Sequence, residues 1–321
     1  MKKNFKIEEP DYVLFKDFAS FLAEEHDAEL IFKDREFEKI KIFERNLLEL
    51  PEVINSPEGF YKGGVLYLTT SAFSVLKQQE KALERLINGV NKGEIAVLVV
   101  NADILKETFD TLGDLVKKLP VVVYKNEETS YFKNRLKSYL NFCFSPFALC
   151  HGSAVEVFGE GVLVIGESGA GKSECVLELV ERGHLFIADD LIKLVNYPPS
   201  SILLMTGSQS DRFKFFMELR GVGIIDVLRT FGPSKVKVKS ELAMIVEITN
   251  EDVKERSIDR EKTVQIFGKP IPFFTFSVKE RGLIPTRIET SILGYKLKKF
   301  GYETGKVIRE VLGGESDKKV T

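Results

Sequence analysis

A glycine-rich loop between a strand-like run and a helix-like run constrains this chain more than any other feature. The apolar run GVLVIG leads into the pattern Gly166-x4-Gly171-Lys172-Ser173, and SECVLELVERG follows with helical spacing. In this context glycines let successive backbone N–H groups face a phosphate, and the positive end of the following helix adds to the attraction. The pattern predicts that Lys172 reaches the β- and γ-phosphates of a nucleotide and that the Ser173 hydroxyl ligates Mg2+.

We predict that the whole loop binds the nucleotide, which is ATP for a kinase. The residues concerned are Gly166, Glu167, Ser168, Gly169, Ala170, Gly171, Lys172 and Ser173. The alternative is a glycine turn that binds nothing, and the agreement of all four pattern positions with both flanking elements argues against it.

Two adjacent carboxylates follow the next apolar run, HLFIADD, which we interpret as a strand that ends at Asp189 and Asp190. Successive side chains on a strand point to opposite faces, so one aspartate can face the nucleotide while the other faces outward or toward a second substrate. A carboxylate beside the γ-phosphate is the group with which a kinase accepts a hydroxyl proton. The alternative is a solvated acidic pair.

The chain is long enough for two domains, with 321 residues of which 44% are hydrophobic. Residues 28–125 alternate short apolar runs with helical patterns, which predicts an α/β unit with a parallel sheet. This unit carries no catalytic motif, and we interpret it as a scaffold or interaction domain. The stretch SYFKNRLKSYLNFCF looks like a joining helix, so we expect an N-terminal α/β domain at 1–128 and a C-terminal P-loop kinase domain at 129–321.

The C-terminal part predicts several further elements. SAVEVF and GVLVIG, separated by Gly159-Glu160-Gly161, indicate a hairpin, and ELAMIVEI and PIPFFTFSV indicate strands. TSILGYKLKKFGYETGKVIREVL is typical of helices, and the tail ESDKKVT of disorder. The polar stretch LLMTGSQSDRF is a candidate flexible loop over the site.

Charge and composition argue against several classes of partner. The 46 basic and 48 acidic residues leave a net charge of −2, which gives no field for nucleic acid or an anionic membrane. The N-terminal segment lacks the apolar stretch of a signal peptide, and no run reaches the roughly 20 apolar residues that span a bilayer. The three cysteines form no CxxC pair, and the three histidines are scattered. We therefore expect a cytoplasmic protein.

Four segments together resemble the bacterial HPr kinase/phosphorylase family. They are His151-Gly152, GESGAGKSE, RGH-x3-ADD and above all MELRGVGIIDV, and the resemblance covers roughly residues 135–312. It implies phosphorylation of a serine of HPr, the phosphocarrier of the sugar phosphotransferase system, and a role in carbon catabolite regulation. It also implies removal of that phosphate by phosphorolysis, in which inorganic phosphate attacks phosphoserine and yields pyrophosphate. Pyrophosphate is a possible alternative donor.

The resemblance also implies roles for individual residues. His151, Lys172, Asp190 and Arg256 would be catalytic, and Asp190 would accept the serine proton in one direction and return it in the other. Ser173 and Glu218 would ligate magnesium. Taken alone, each is more typical of a residue with no catalytic role: His151 of a core histidine at the start of a strand, Glu218 of a carboxylate on a helix surface, and Arg256 of a solvated charge on a helix. The resemblance further implies a homo-hexamer.

One segment departs from the family. Where the family usually has proline-glycine-arginine-asparagine, a turn linked to the phosphorylase activity, this chain has SVKERGLIPTRIE, with Leu283 at the asparagine position. Moving an arginine one residue along an extended backbone turns its side chain to the opposite face. Either Arg281 or Arg287 then reaches the site by a different route, or phosphorolysis is weak, and we predict weak phosphorolysis.

Two rival functions stay open at this point. One is a P-loop kinase of a small metabolite, and the other is a non-catalytic module that senses ATP. The set of Lys172, Asp190 and Glu218 argues against the second.

Overall fold

The computed structural model describes residues 6–24, 28–31, 36–125, 129–197, 201–206, 214–253 and 262–302. The chain divides into two units, Glu9–Ser145 and a second unit that joins Met1–Glu8 to Pro146–Thr321. Both units contain helices and strands, which confirms the expectation of a mixed α/β protein. Among the described helices, none combines the length and the apolar character needed to cross a membrane.

Short strands and helices alternate up to residue 143. The strands are β1 (Ile7–Glu8), β2 (Val13–Leu14), β3 (Ala28–Leu30), β4 (Lys41–Ile42), β5 (Leu47–Glu49), β6 (Gly64–Leu68), β7 (Ile95–Asn101) and β8 (Val121–Tyr124). The helices are α1 (Phe15–Glu24), α2 (Leu50–Asn55), α3 (Thr70–Gln78), α4 (Glu80–Asn91), α5 (Leu105–Leu112) and α6 (Thr129–Cys143). Short 3-10 segments lie at Phe37–Lys39, Ala102–Ile104 and Gly113–Lys118.

The first unit is built on a sheet with the strand order β3-β8-β7-β6-β5. Strands β5 to β8 are parallel, as the sequence predicts, but the edge strand β3 is antiparallel to β8. One face of the sheet packs against helices α2 to α5, and the other face packs against α1 and α6. Because both faces are covered, strands β6, β7 and β8 are buried along their whole length.

The joining helix α6 belongs to the first unit, so the expected boundary after residue 128 differs from the observed division after Ser145. Phe132, Leu136 and Leu140 recur every four residues and are at most 3% exposed. Side chains with this spacing share one helix face. That face is buried in the same core as the sheet residues Val65 and Tyr67. The sequence pattern predicts this helix, but it does not indicate which sheet the apolar face of the helix packs against.

The second unit contains the remaining elements. Its strands after residue 146 are β9 (Phe147–Val157), β10 (Glu160–Gly166), β11 (Leu185–Tyr197), β12 (Ser201–Thr206), β13 (Phe216–Leu219), β14 (Gly223–Asp226), β15 (Lys239–Thr249), β16 (Thr263–Ile266) and β17 (Lys269–Ser277). Its helices are α7 (Lys172–Glu181), α8 (Val227–Phe231) and α9 (Ile284–Lys299), with 3-10 segments at Pro233–Lys235 and Val278–Leu283.

An eight-stranded sheet forms the centre of this unit, with the order β1-β9-β11-β12-β15-β17-β16 and with β10 paired to both β9 and β15. The predicted hairpin is present as antiparallel β9 and β10. Strand β10 is parallel to β15, and β15 is parallel to β17. The segments that follow these three strands therefore meet at one edge of the sheet, and the glycine loop is one of them. Helices α7 and α9 cover the face behind the loop.

Strand β11 does not end at the two aspartates, contrary to the sequence prediction. It continues to Tyr197, paired with β9 and then also with β12. Asp190 has a positive φ of 72°, yet it stays paired with Gly152 within the continuous strand. Residues 191–195 pair with β9, and this pairing continues the strand past the acidic pair at which the sequence predicted its end.

Candidate active site at the glycine loop

Backbone geometry at two glycines fixes the shape of the loop. A Cβ atom at Gly166 would lie 2.3 Å from the carbonyl oxygen of Ile248, on the neighbouring parallel strand. Gly169 has a φ of 79°, and a Cβ there would lie 2.4 Å from the guanidinium of Arg220. Only glycine avoids both the close approach and the strained left-handed conformation. Packing against the Ile248 backbone therefore requires glycine at position 166, and the positive φ favours glycine at position 169, whatever ligand the loop binds.

Helix α7 begins directly at Lys172, after the loop. The N–H of Cys175 donates to the Gly171 carbonyl at 3.0 Å, which closes the first helical turn. The ammonium of Lys172 donates to the carbonyl oxygens of Gly166 at 3.2 Å and Glu167 at 2.9 Å. The Lys172 ammonium and the positive end of helix α7 thus meet at one loop, which is an arrangement suited to an anion.

Asp189 is the carboxylate that contacts the loop. Its two oxygens accept from the Ser173 hydroxyl at 3.1 and 2.9 Å. The fully buried Ser153 hydroxyl also donates to it, and the backbone N–H of Glu218 donates at 3.3 Å. Burial raises the pKa of Asp189, and the hydrogen bonds from Ser153 and Ser173 oppose this effect only in part.

Asp190 points the other way, as the alternation of strand residues predicts. Its side chain is 88% exposed, and its Oδ1 lies 3.6 Å from Nδ1 of His151, which is 83% exposed. The register of β11 on β9 brings the two residues together, because Leu191 pairs with His151 and Asp190 with Gly152. An exposed imidazole and an exposed carboxylate therefore lie beside Asp189, whose own carboxylate binds Ser173.

Glu218 comes to the site through a small hairpin. Strand β13 pairs with β14, and Met217 and Leu219 are anchored in the core beneath. The Glu218 side chain between them is exposed, and its backbone N–H is the group that contacts Asp189. Among the described residues there is no group of three or more His, Cys, Asp or Glu side chains arranged to hold a metal ion.

Two arginines lie against the loop from different elements. The Arg281 guanidinium donates to the Gly169 carbonyl oxygen at 3.2 Å, and the Arg220 guanidinium lies over the same glycine. Arg287 instead pairs with Glu280, at 2.9 Å for one of its two bonds. The charged groups around Gly169 thus come from the β13–β14 hairpin and from the segment after β17.

The position of Arg281 corrects one sequence-based argument. That argument assumed an extended backbone, on which a shift by one residue reverses the side chain. Val278–Leu283 instead consists of 3-10 turns with a kink at Glu280, where φ is −106° and ψ is 24°. The backbone here is not extended, so the reversal by one residue does not apply, and the Arg281 guanidinium reaches the Gly169 carbonyl.

Some predicted features lie outside the described residues. They are Arg256, the part of the LLMTGSQSDRF segment after Thr206, and the chain after Tyr302. Other contacts were not predicted at all. Ser153 on Asp189, Arg220 on Gly169 and the 2.9 Å bond from Asn250 to Glu167 all join residues far apart in sequence. The strand register and the sheet order bring these residues together, so local sequence patterns could not predict the contacts.

Comparison with known proteins decides the family. The family model described as HPr Serine kinase C-terminal domain matches residues 143–312, which is more than half of the 321 residues. The chain belongs to the HPr serine kinase family. The resemblance found in the sequence is thereby confirmed, and it covers the elements from the end of α6 through the glycine loop and the β13–β14 hairpin to α9.

Individual members of the HPr serine kinase family align with this chain over differing lengths. HPr kinase/phosphorylase of Lactobacillus johnsonii is 35% identical over 199 residues, which is 61% of each chain. HPr kinase/phosphorylase 1 of Oceanobacillus iheyensis is 31% identical over 243 residues, or 74% of each chain. The chain thus spans 61% of the length of the Lactobacillus relative. A solved structure titled as the Hpr(Ser) kinase/phosphatase from Coxiella burnetii aligns at 26% identity and a TM-score of 0.43, covering 50% of this chain and 98% of that one.

Proposed function

We propose that this protein is an ATP-dependent kinase of a serine of HPr and that it also removes the phosphate by phosphorolysis. One observation carries the proposal. Asp189 binds the Ser173 hydroxyl of the glycine loop, and the next residue, Asp190, faces solvent beside His151. A loop for the nucleotide and an open carboxylate for the acceptor hydroxyl are thus adjacent, as transfer between a nucleotide and a protein side chain requires.

Asp190 is the proposed general base. It accepts the proton of the serine hydroxyl as that oxygen attacks the γ-phosphorus, and in reverse it returns the proton to the serine oxygen. His151, whose Nδ1 lies 3.6 Å from Oδ1 of Asp190, is proposed as a second catalytic residue beside this carboxylate. The positive φ of Asp190 is a conformation that aspartate adopts more readily than most residues. Lys172 and the helix N-terminus stabilise the charge that develops on the transferred phosphoryl group.

Magnesium fits the oxygen groups at the loop. The Asp189 carboxylate is held in a buried position that raises its pKa, so a cation beside it would stabilise its charged form. Ser173 and Glu218 are the proposed ligands, and Asp189 is the carboxylate bound to Ser173. Mg2+ bound with a nucleotide usually takes its other ligands from phosphate oxygens and waters. When bound, the ion neutralises charge on the β- and γ-phosphates.

The two arginines at Gly169 support the reverse reaction. Phosphorolysis requires inorganic phosphate to lie in line with phosphoserine, so two anions must be held close together. Guanidinium groups suit this task because they donate in a planar fork that matches phosphate oxygens. The reason for expecting weak phosphorolysis was an extended turn around Arg281, and the 3-10 geometry removes that reason. We therefore infer that Arg281 replaces the arginine of the usual family turn.

The rest of the proposal extends to partners and assembly. The second unit is the proposed P-loop catalytic domain, and the first unit is the proposed scaffold or interaction domain. The proposed ligands are HPr, ATP, phosphate and pyrophosphate, and the proposed assembly is a cytoplasmic homo-hexamer, without nucleic acid or membrane partners. Arg256 keeps its proposed role as an active-site arginine.

Mass spectrometry of HPr from the same host tests substrate and activity together. HPr incubated with the protein, Mg2+ and ATP is expected to gain one phosphate on a serine. After ATP is removed, added inorganic phosphate is expected to reverse the modification and release pyrophosphate. Transfer of labelled phosphate to a small metabolite but not to HPr would instead identify a metabolite kinase. Binding of ATP with no transfer to any acceptor would identify a nucleotide sensor.

A further inference from the structure

The β13–β14 hairpin carries aliphatic side chains on the face where polar ones are expected. Cross-strand partners share a face of a two-stranded sheet. Met217 pairs with Ile225 on the inner face, and Glu218 pairs with Ile224 on the outer face. Ile224 is 71% exposed, and Val222 at the tip of the hairpin is 73% exposed. The inner face anchors the hairpin in the core, whereas Val222 and Ile224 stay largely exposed among the residues that the structure describes.

The outer face of the hairpin continues directly into the candidate site. Glu218, which lies across from Ile224, donates its N–H to Asp189 at 3.3 Å. Arg220, two residues before Val222, lies over Gly169 of the loop. The exposed aliphatic side chains are therefore at the edge of the site rather than on a remote surface.

A second element that contacts the loop also carries an exposed aliphatic side chain. Arg281 of the 3-10 segment donates to the Gly169 carbonyl, and Leu283, two residues later, is 55% exposed. Both elements that contact Gly169 thus present an exposed aliphatic residue within a few positions of their arginine. We define Val222, Ile224 and Leu283 as the apolar rim.

We propose that the apolar rim is the docking surface for a folded protein substrate whose apolar surface surrounds the accepting serine. The inference rests on the proposed kinase function and adds to it how the acceptor is recognised. A nucleotide or a small hydroxylated metabolite is polar and is served by the loop and the carboxylates. Aliphatic side chains at the edge contribute affinity only if a wider apolar surface covers them and removes them from water.

The exposure of Asp190 supports the same occupant. Its carboxylate is 88% exposed, so the hydroxyl it deprotonates must be supplied together with a surface that excludes water. A protein that delivers a serine to Asp190 would cover the hairpin tip in the same step. The rim then contributes to the binding of the protein substrate, while the nucleotide is bound by the loop alone.

The test compares Val222→Ser and Ile224→Ser with Val238→Ser. Val238 is 43% exposed and precedes β15, which runs parallel to β10, so it lies at the end of these strands opposite the glycine loop. Steady-state phosphorylation of HPr is measured at varied HPr and at varied Mg-ATP. Burial of one aliphatic side chain typically contributes about tenfold or more in affinity. Each rim variant is therefore expected to raise the KM for HPr by ~10-fold, or about 1.4 kcal/mol, without changing the KM for ATP, and Val238→Ser is expected to change neither.

Four other outcomes would contradict either the proposed function or the docking proposal. If the wild type does not phosphorylate HPr, the proposed function fails and the docking proposal falls with it. If the wild type is active and both rim variants keep the wild-type KM for HPr, the docking proposal alone is wrong. An equal rise in the KM for ATP would show that the rim acts on the loop, and this also overturns the proposal. A change in sedimentation without a change in KM would assign the rim to contacts between copies of the chain, again against the proposal.

Discussion

Replacing Asp189 by asparagine is expected to stabilise the metal-free protein while weakening its response to Mg-ATP. Burial raises the pKa of Asp189, so the folded state disfavours its charged form relative to the unfolded state. Asparagine keeps an oxygen that can accept from Ser153 and Ser173, and it carries no charge to bury. A change of this kind, which relieves a strained functional site, commonly raises stability by about 1 kcal/mol.

The sign of the pH dependence follows from the direction of the shift. Between the ordinary pKa of aspartate, about 3.9, and the raised pKa in the folded protein, the folded state binds more protons than the unfolded state. Wild-type stability therefore falls as the pH rises through this window, and Asp189→Asn lacks this loss. The advantage of the variant is expected to grow with pH across the window and to be complete once the pH exceeds the raised pKa of Asp189.

Thermal unfolding measures both effects. At neutral pH without ligand, ~1 kcal/mol corresponds to a rise in Tm of roughly 2–4 °C for a domain of this size. Saturating Mg-ATP at about 100 times its Kd stabilises a protein that binds it by ~2.7 kcal/mol, and Asp189→Asn is expected to gain clearly less. Asp190→Asn is the matched control, because the same change is made at an exposed carboxylate. A variant Tm below that of the wild type at neutral pH, without ligand, would refute the reasoning, since the hydrogen bonds would then outweigh burial.

Three further predictions concern the loop and its arginines. Lys172→Ala is expected to lower phosphate transfer by at least ~100-fold with the fold intact, because the ammonium that stabilises the charge of the transferred phosphoryl group is lost. Unchanged turnover would exclude the loop assignment. Glu218→Gln is expected to raise the Mg2+ concentration that half-maximal activity requires, and to raise the Kd for nucleotide measured without metal by a smaller factor. Equal changes in the two quantities would count against Glu218 as a metal ligand. Arg281→Ala is expected to slow pyrophosphate release from phosphorylated HPr by ~10-fold, equal to about 1.4 kcal/mol, and to affect the kinase rate less. Arg287→Ala, whose guanidinium pairs with Glu280, serves as its control, and a larger effect at Arg287 would reverse the two roles.

Local elements of the site could be predicted from the sequence because they depend on neighbouring residues. The strand, glycine loop and helix around Lys172 follow from backbone requirements within a dozen residues. The β9–β10 hairpin is encoded in the same local way, by a turn between two apolar runs. The opposite orientations of Asp189 and Asp190 need only the alternation of a strand.

Features that depend on distant pairing could not be predicted in this way. Ser153 meets Asp189 because the register of β9 on β11 aligns them, and this register is set by the whole sheet. The two arginines meet at Gly169 because β10, β15 and β17 are parallel neighbours and the β13–β14 hairpin is anchored by buried residues. The 3-10 form of the segment around Arg281 also required the structure.

The most direct test of the central claim is a single-turnover transfer of phosphate from Mg-ATP to HPr by the wild type and by Asp190→Asn. Nucleotide affinity is measured on the same samples. The account predicts rapid transfer to a serine of HPr by the wild type. For Asp190→Asn it predicts the same ATP affinity and a loss of transfer of ~100-fold or more, as expected when a general base is removed. Transfer by Asp190→Asn at the wild-type rate would contradict the account.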